Sequence, residues 1–278
     1  MCRHLGYLGP AAPVGEILTR GTHSLRTQSW APRDMRGGGT VNADGFGVAW
    51  WPPGGGASRY RNAAPIWSDP AVDEVLPQLS STAVLAAVRS ATVGMPVERS
   101  ACAPFVDGRW AFSHNGVIPH WRTVLPEVAK RFGAPDLLHA ESGTDSAALW
   151  VILHAALTDH DRDRDGFRGG EPREVLGDLV RTVLDYAPDA RVNLLLSDGE
   201  TLWATAVYHA LSVLVTDDIA VIASEPYDDD PRWNSIADRQ LVLARPGRLG
   251  IEPLDIEPLN VEPLEPARVP DESERART

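Results

Sequence analysis

Cys2 stands directly behind the initiator methionine, in Met1-Cys2-Arg3-His4. Aminopeptidases remove an initiator Met when the next side chain is small, and cysteine meets that condition. The cut would leave Cys2 with a thiol and a free α-amine on one residue. An α-amine has an unperturbed pKa of about 7.7–8.0, so near neutral pH it accepts a proton without help. A thiol attacks only as its thiolate, and an N-terminal nucleophile of this kind carries its own base. Amide cleavage by a thiolate also needs donors for the tetrahedral oxyanion and a grip on the rest of the substrate.

Residue types for both tasks lie downstream. In His114-Asn115-Gly116, an asparagine side-chain N–H and the glycine backbone N–H could converge on one oxygen. Glycine leaves room there for a substrate, although Asn-Gly is in itself a turn signal. Arg89 opens Arg89-Ser90-Ala91-Thr92. A guanidinium suits a carboxylate at that place, with a hydroxyl beside it, and it equally suits a solvated strand end. Asp145 follows Thr144 in Ser142-Gly143-Thr144-Asp145-Ser146. An aspartate in a first helical turn is stabilised by the dipole, and it can also receive a substrate ammonium. His114 is read as structural, because the α-amine already serves as base.

The surrounding elements must hold these residues. Arg3 to Gly9 has strand character and should end at Gly9-Pro10, and the Gly-, Arg- and Pro-rich stretch from Ala31 to Ala43 should be loop. Phe46 to Trp51 is strand-like and closed by Pro52-Pro53-Gly54. Asp69-Pro70 begins a short helix through Leu79, and Ala83 to Arg89 is a buried strand. Arg89 to Phe105 lacks periodicity and should be a loop, and Trp110 to His114 is a strand stopped by Asn115-Gly116. Helical patterns run from His120 to Phe132, from Thr144 (as N-cap) to Leu157, and from Glu174 to Tyr186. Strands return at Arg191–Ser197, Thr201–Val207, Leu211–Val215, Ile219–Ala223 and Gln240–Ala244. Strands, helices, then strands again indicate an α+β fold with antiparallel sheets covered by helices.

Composition narrows the function classes. The 278 residues carry a net charge of −12, which argues against a nucleic-acid binder or an anionic-membrane binder. No apolar run reaches transmembrane length, and no signal-peptide layout opens the chain. The two cysteines, Cys2 and Cys102, are too few for a disulfide framework, so the protein is expected in the cytoplasm. Asp161-Arg162-Asp163-Arg164-Asp165-Gly166 imitates the start of a calcium loop, but the twelfth position is Pro172 rather than Glu. Asp228-Asp229-Asp230 is read as a polar turn. A proline every five residues in Ile251-Glu252-Pro253-Leu254-Asp255, Ile256-Glu257-Pro258-Leu259-Asn260 and Val261-Glu262-Pro263-Leu264-Glu265 forbids a helix or central strand. An extended, partly docked tail is expected there, disordered from Ala267 to Thr278.

Taken together, Cys2, Arg89-Ser90-Ala91-Thr92, His114-Asn115-Gly116 and Thr144-Asp145-Ser146 follow the order and spacing of the class II glutamine amidotransferases, the N-terminal-nucleophile type, which the chain resembles over roughly residues 2–245. The resemblance implies a four-layer αββα sandwich of two mainly antiparallel sheets. It also implies a hydrolase domain over residues 2–250 with a tail at 251–278. By it, Cys2 would be the nucleophile, Asn115 and Gly116 the oxyanion hole, Arg89 the glutamyl α-carboxylate receptor, Thr92 its aid and Asp145 the α-amine receptor. Residues 89–105, with Gly94, would close over the glutamyl group. No metal or cofactor is implied. Further segments, Gln28-Ser29-Trp30-Ala31-Pro32, Asn42-Ala43-Asp44-Gly45-Phe46-Gly47 and Ala223-Ser224-Glu225-Pro226-Tyr227, look like the branch of the family that removes glutamate from γ-glutamyl-hercynylcysteine S-oxide in ergothioneine biosynthesis. Cys102 has no role in that pattern. Trp30 and Trp67 are loop aromatics able to face a trimethylammonium group. The competing expectations are a stand-alone glutaminase that supplies ammonia to a partner, and a silent binding scaffold on the same fold.

Overall fold

Ala83-Val84-Leu85-Ala86-Ala87-Val88 is apolar at every position, as a strand covered on both faces must be. The computed structural model describes residues 2–34, 36, 41–158 and 171–255 and covers this strand on both sides. In chain order the elements are β1 (Arg3–Pro13), α1 (Val14–Thr19), α2 (Leu25–Gln28), β2 (Phe46–Trp50), β3 (Ser58–Asn62), α3 (Ala71–Glu74), β4 (Ser80–Val88), β5 (Phe105–Asp107) and β6 (Trp110–Val117). Then come α4 (Trp121–Arg131), α5 (Asp145–Thr158) and α6 (Pro172–Tyr186). The chain closes with β7 (Arg191–Ser197), β8 (Leu202–Ala206), β9 (Ser212–Val215), β10 (Ala220–Ala223), β11 (Asn234–Ser235), β12 (Gln240–Arg245) and β13 (Arg248–Pro253).

Two sheets result: a seven-stranded one ordered β11-β9-β10-β1-β4-β2-β3, and a six-stranded one ordered β13-β12-β8-β7-β6-β5. The pairings in both are antiparallel. Strand alternation sorts the side chains into three apolar layers. Leu5, Tyr7, Phe46 and Val84 pack with Leu18 of α1. Leu8, Leu85, Leu195, Leu202 and Ile222 fill the space between the sheets. Phe112, Leu194 and Leu196 pack under Leu125, Leu149 and Leu179 of α4, α5 and α6. The expected αββα order of layers is the observed one. No helix among the described residues is long and apolar enough to cross a membrane.

At the end of the inter-sheet layer where β1 begins, apolar residues give way to polar ones. His4, Asn115, Asn193, His209 and Ser224 are all buried there. Both ring nitrogens of His4, Asn115 Oδ1 and His209 Nδ1 have no hydrogen-bond partner.

Several expectations are corrected. β1 continues past Gly9-Pro10 to Pro13, across a register shift between Leu8 and Ala12 that accommodates the proline. β6 does not stop at Asn115-Gly116. It runs on to Val117, because Asn115 pairs with Asn193 and Gly116 with Val192 of β7, and a cross-strand partner outweighs local turn preference. The helix expected over residues 69–79 divides into α3 and a 3-10 turn at Leu76–Gln78, where Pro77 interrupts it. The strands β3, β5, β11 and β13 and the short helices α1 and α2 carry no pattern that marks them in the sequence. Ile251 to Pro253 forms part of the edge strand β13, and Leu254 is buried. The remaining proline repeats, the stretch from Ala267 to Thr278 and the segment 161–166 lie outside the described residues.

Burial first, then His114, His209 and Arg3, lowers His4 from 6.5 to about 3. Burial, then Arg191 and Arg3, lowers His209 to about 3 as well. Below its ordinary value each histidine binds a proton in the unfolded chain that the folded chain refuses, so stability falls as pH drops from about 6.5 toward about 3. The urea midpoint should therefore decrease between about pH 7.5 and about pH 5, before most carboxylates titrate, and His209→Gln should flatten that decrease. A midpoint constant over this interval would contradict neutral burial of the two rings.

Candidate active site

The N-terminal segment is held from its first residues. Arg3 opposes Val88 in the β1–β4 ladder, which sets Cys2 across from the chain leaving β4 at Arg89 and Ser90. Cys2 is partly exposed, and its Sγ donates to the Ser90 carbonyl at 3.7 Å. The Arg3 guanidinium is buried. Its Nε donates to Glu225 at 2.9 Å, its Nη1 to the Cys2 carbonyl at 3.0 Å, and its Nη2 to the Asp34 carbonyl.

Glu225 is the hub of this arrangement. Its two oxygens accept from Arg3, from His23 Nε2 at 2.6 Å, and from the backbone N–H groups of Arg33 at 2.9 Å and Asp34 at 3.2 Å. Burial pushes its carboxyl up. The His23 bond, the Arg33 and Asp34 backbone donors and the Arg3 charge outweigh that and hold it below the usual carboxylate value. One buried carboxylate thus ties β1, the chain after α2 and the chain after β10 into a single knot.

Ser224, next to this hub, joins the two sheets. Its Oγ accepts the His4 N–H at 3.0 Å, and Asn115 Nδ2 reaches the same oxygen at 3.5 Å. Asn115 is therefore two hydrogen-bonded contacts from the residue pair that starts β1. Gly116 lies so close to β7 that a Cβ would fall onto the Arg191 carbonyl, which makes glycine obligatory in this strand. His114 turns to the helical side, with Nδ1 3.0 Å from Ser146 Oγ and Nε2 2.9 Å from the Arg191 carbonyl. Both ring nitrogens are engaged in structure, as expected.

Arg89 and its loop are anchored by Asp44. The Asp44 N–H donates to the Arg89 carbonyl at 3.0 Å, its Oδ2 accepts the Ala91 N–H at 2.7 Å, and the Arg89 N–H donates to the Gly45 carbonyl at 2.8 Å. Arg89 Nη1 donates to the Pro96 carbonyl at 2.9 Å, across the same loop. Thr92 is exposed within the loop. Asp145 is buried at the start of α5. Its Oδ2 accepts the Ile118 N–H at 3.0 Å and its Oδ1 the Ser146 N–H at 2.8 Å, so it fastens the helix to the end of β6. Thr144 caps that helix through Oγ1 and the Ala147 N–H at 3.2 Å.

The structure therefore brings Cys2, Arg89 and, through Ser224, Asn115 and Gly116 to one end of the sandwich, with Asp145 just beyond Gly116. Asp44, Ser224 and Glu225 hold them there. These three occur in the segments that carry the family resemblance, but nothing local in the sequence marks them as anchors. Trp30 and Trp67 meet edge to face, with centroids 5.7 Å apart; Trp30 lies in the turn after α2, but Trp67, expected in a loop, lies within a 3-10 turn at Ile66–Ser68. In the polar turn, Asp230 accepts from Arg232 and Asp228 from Trp233 Nε1. Among the described residues no group of three or more His, Cys, Asp or Glu side chains is placed to hold a metal ion.

Comparison with known proteins gives consistent matches. Residues 22–216 match the family described as glutamine amidotransferases class-II. The gamma-glutamyl-hercynylcysteine sulfoxide hydrolase of Mycolicibacterium smegmatis is 41% identical over 91% of this chain and 100% of its own length. Its namesake from Mycobacterium tuberculosis is 44% identical over 87% of this chain and 92% of its own. Among solved structures, a glutamine aminotransferase class-II domain protein from Silicibacter pomeroyi superposes with a TM-score of 0.60 at 20% identity, over 91% of this chain and 99% of that one. The glutamine phosphoribosylpyrophosphate amidotransferase of B. subtilis gives 0.61 at 14% identity, over 92% of this chain and 50% of that one. These two likenesses concern the fold.

Glu225→Gln would remove the charge opposite Arg3 and turn an amide N–H₂ toward groups that all donate. Breaking a buried pair in this way costs about 3–5 kcal/mol. Urea unfolding should show a loss of that size. A change below about 1 kcal/mol would mean that Glu225 is not the anchor described.

Proposed function

We propose, from the premise that this chain belongs to the class-II glutamine amidotransferases, that it hydrolyses the γ-glutamyl amide of γ-glutamyl-hercynylcysteine S-oxide. The products are glutamate and hercynylcysteine S-oxide, and the step belongs to ergothioneine biosynthesis. The observation that carries this reading is the 41% identity to a hydrolase of that name over its full length. Residues 2–250 form the hydrolase unit, and a reduced, cytoplasmic compartment suits its working thiol.

Removal of Met1 frees the Cys2 α-amine, which takes the thiol proton. The thiolate attacks the γ-carbonyl carbon, and the Asn115 side chain and Gly116 N–H receive the oxyanion. Collapse breaks the C–N bond as the Cys2 ammonium passes its proton to the departing nitrogen. Water, deprotonated by the same amine, then attacks the glutamyl thioester. The glutamate leaves, and the sulfur is again a thiol. Arg89 holds the glutamyl α-carboxylate with help from Thr92, and Asp145 receives the α-amine. Asp145 has accepted two backbone N–H groups, and a carboxylate has lone pairs for more. The corner between Trp30 and Trp67 suits a trimethylammonium group.

Purified protein should release glutamate from the hercynylcysteine conjugate far faster than from glutamine, and Cys2→Ala should abolish release. Intact mass should show loss of Met1, and a γ-glutamyl diazo-ketone should label Cys2 once. Preference for glutamine would support the ammonia-supplying alternative. No label and no turnover would support a silent scaffold.

A further inference from the structure

The residues assigned so far grip the glutamyl half of the substrate, and the two tryptophans address only the far cation of the other half. A further cation lies one same-face step from Asn115 in the β6–β7 ladder. On β7, Val192, Leu194 and Leu196 turn to the helices, and Leu195 turns to the other sheet. Arg191 and Asn193 therefore share the face turned toward the seven-stranded sheet. Across the ladder, Asn193 pairs with Asn115 and Arg191 with Val117. Arg191 thus sits one same-face step beyond Asn115, at the last pair of the β6–β7 ladder.

Its environment differs from that of the ion-paired arginines. Lys and Arg number 26 against 38 Asp and Glu, and Arg20, Arg26, Arg59, Arg173 and Arg232 all have carboxylate partners. Arg191 is half-buried and, among the described residues, has none. Its guanidinium carbon lies 4.3 Å from the centroid of the Tyr208 ring instead. Tyr208 holds a φ of 84°, which a bulky residue adopts only where its surroundings impose it. Two bonds do so: its N–H donates to Asp238 at 2.6 Å, and its carbonyl accepts from Arg36 at 3.1 Å. The strained backbone sets an aromatic platform under a guanidinium that lacks an anion.

We propose that Arg191, positioned by Tyr208, binds the carboxylate of the departing amine. This rests on the γ-glutamyl hydrolase reading. An amide formed on the nitrogen of a cysteine derivative carries a carboxylate on the carbon next to that nitrogen. Arg89 ends a strand of one sheet and Arg191 begins a strand of the other, so a substrate with a carboxylate on each side of the scissile bond meets both. A planar fork on an aromatic face is suited to that carboxylate.

The test compares kcat/KM for γ-glutamyl-S-methylcysteine sulfoxide and for the same amide without the cysteine carboxylate, γ-glutamyl-S-methylcysteamine sulfoxide. The full chain should prefer the first by about tenfold to a hundredfold, and Arg191→Gln should close that gap, chiefly through KM. Arg191→Lys should restore part of it. The second amide reports on folding of the variants. Equal losses on both amides, or no preference in the unaltered chain, would overturn the proposal. A carboxylate preference lost in Arg191→Gln, without preference for the hercynyl conjugate over the methyl one, would uphold Arg191 and count against the hercynyl reading alone. Turnover of neither amide would overturn both.

Discussion

A chain end frays unless something ties it down, and the proposed nucleophile stands next to one. The buried bond between Arg3 and Glu225 resolves that conflict. It works because the strand it fixes is not an edge: β1 lies between β10 and β4, so the first residues are paired on both sides. Glu225 adds three further donors from two other segments. Burying a carboxylate is unfavourable unless its lone pairs are filled, and here they are. The anchor is electrostatic in origin, but its effect is geometric: Cys2 inherits the rigidity of the sheet.

The space between the sheets shows a second constraint. Its apolar part is made of small and branched residues such as Ala49, Ala83, Leu85 and Ile222. Its polar end is made of His4, Asn115, Asn193 and Ser224. A layer apolar throughout would pack better. The polar end coincides with the proposed glutamyl site, and both ring nitrogens of His4 are left there without a partner. Rings held neutral beside Arg3 and Arg191 keep that end from accumulating positive charge.

Long periodic or uniformly apolar segments were legible from the sequence. β7 at Arg191–Ser197 and α5 behind its Thr144 cap lie where the pattern puts them. What failed were segments decided by partners far along the chain. Asn115-Gly116 spells a turn locally but is strand because β7 lies beside it. Ser58-Arg59-Tyr60-Arg61-Asn62 has little apolar content and is strand only as the outer neighbour of β2. The proposed site residues could be named from sequence because the chemistry asked of them constrains residue type: a thiol, an amide, a guanidinium. Asp44, Ser224 and Glu225 act by position, and position emerges only on folding. The place of Arg191 opposite Val117 and against Tyr208 likewise depends on residues distant in sequence.

The second thiol has a consequence of its own. Cys102 is fully enclosed, its Sγ lies 3.4 Å from the carbonyls of Asn62 and Glu98, and burial pushes it up to about 11. Gly45, at a φ of 117°, is packed against it so tightly that no side chain fits between. A protein with two sulfhydryls therefore presents electrophiles with a single target. Covalent reagents can report on Cys2 in the unaltered polypeptide, with no need to engineer the other cysteine away.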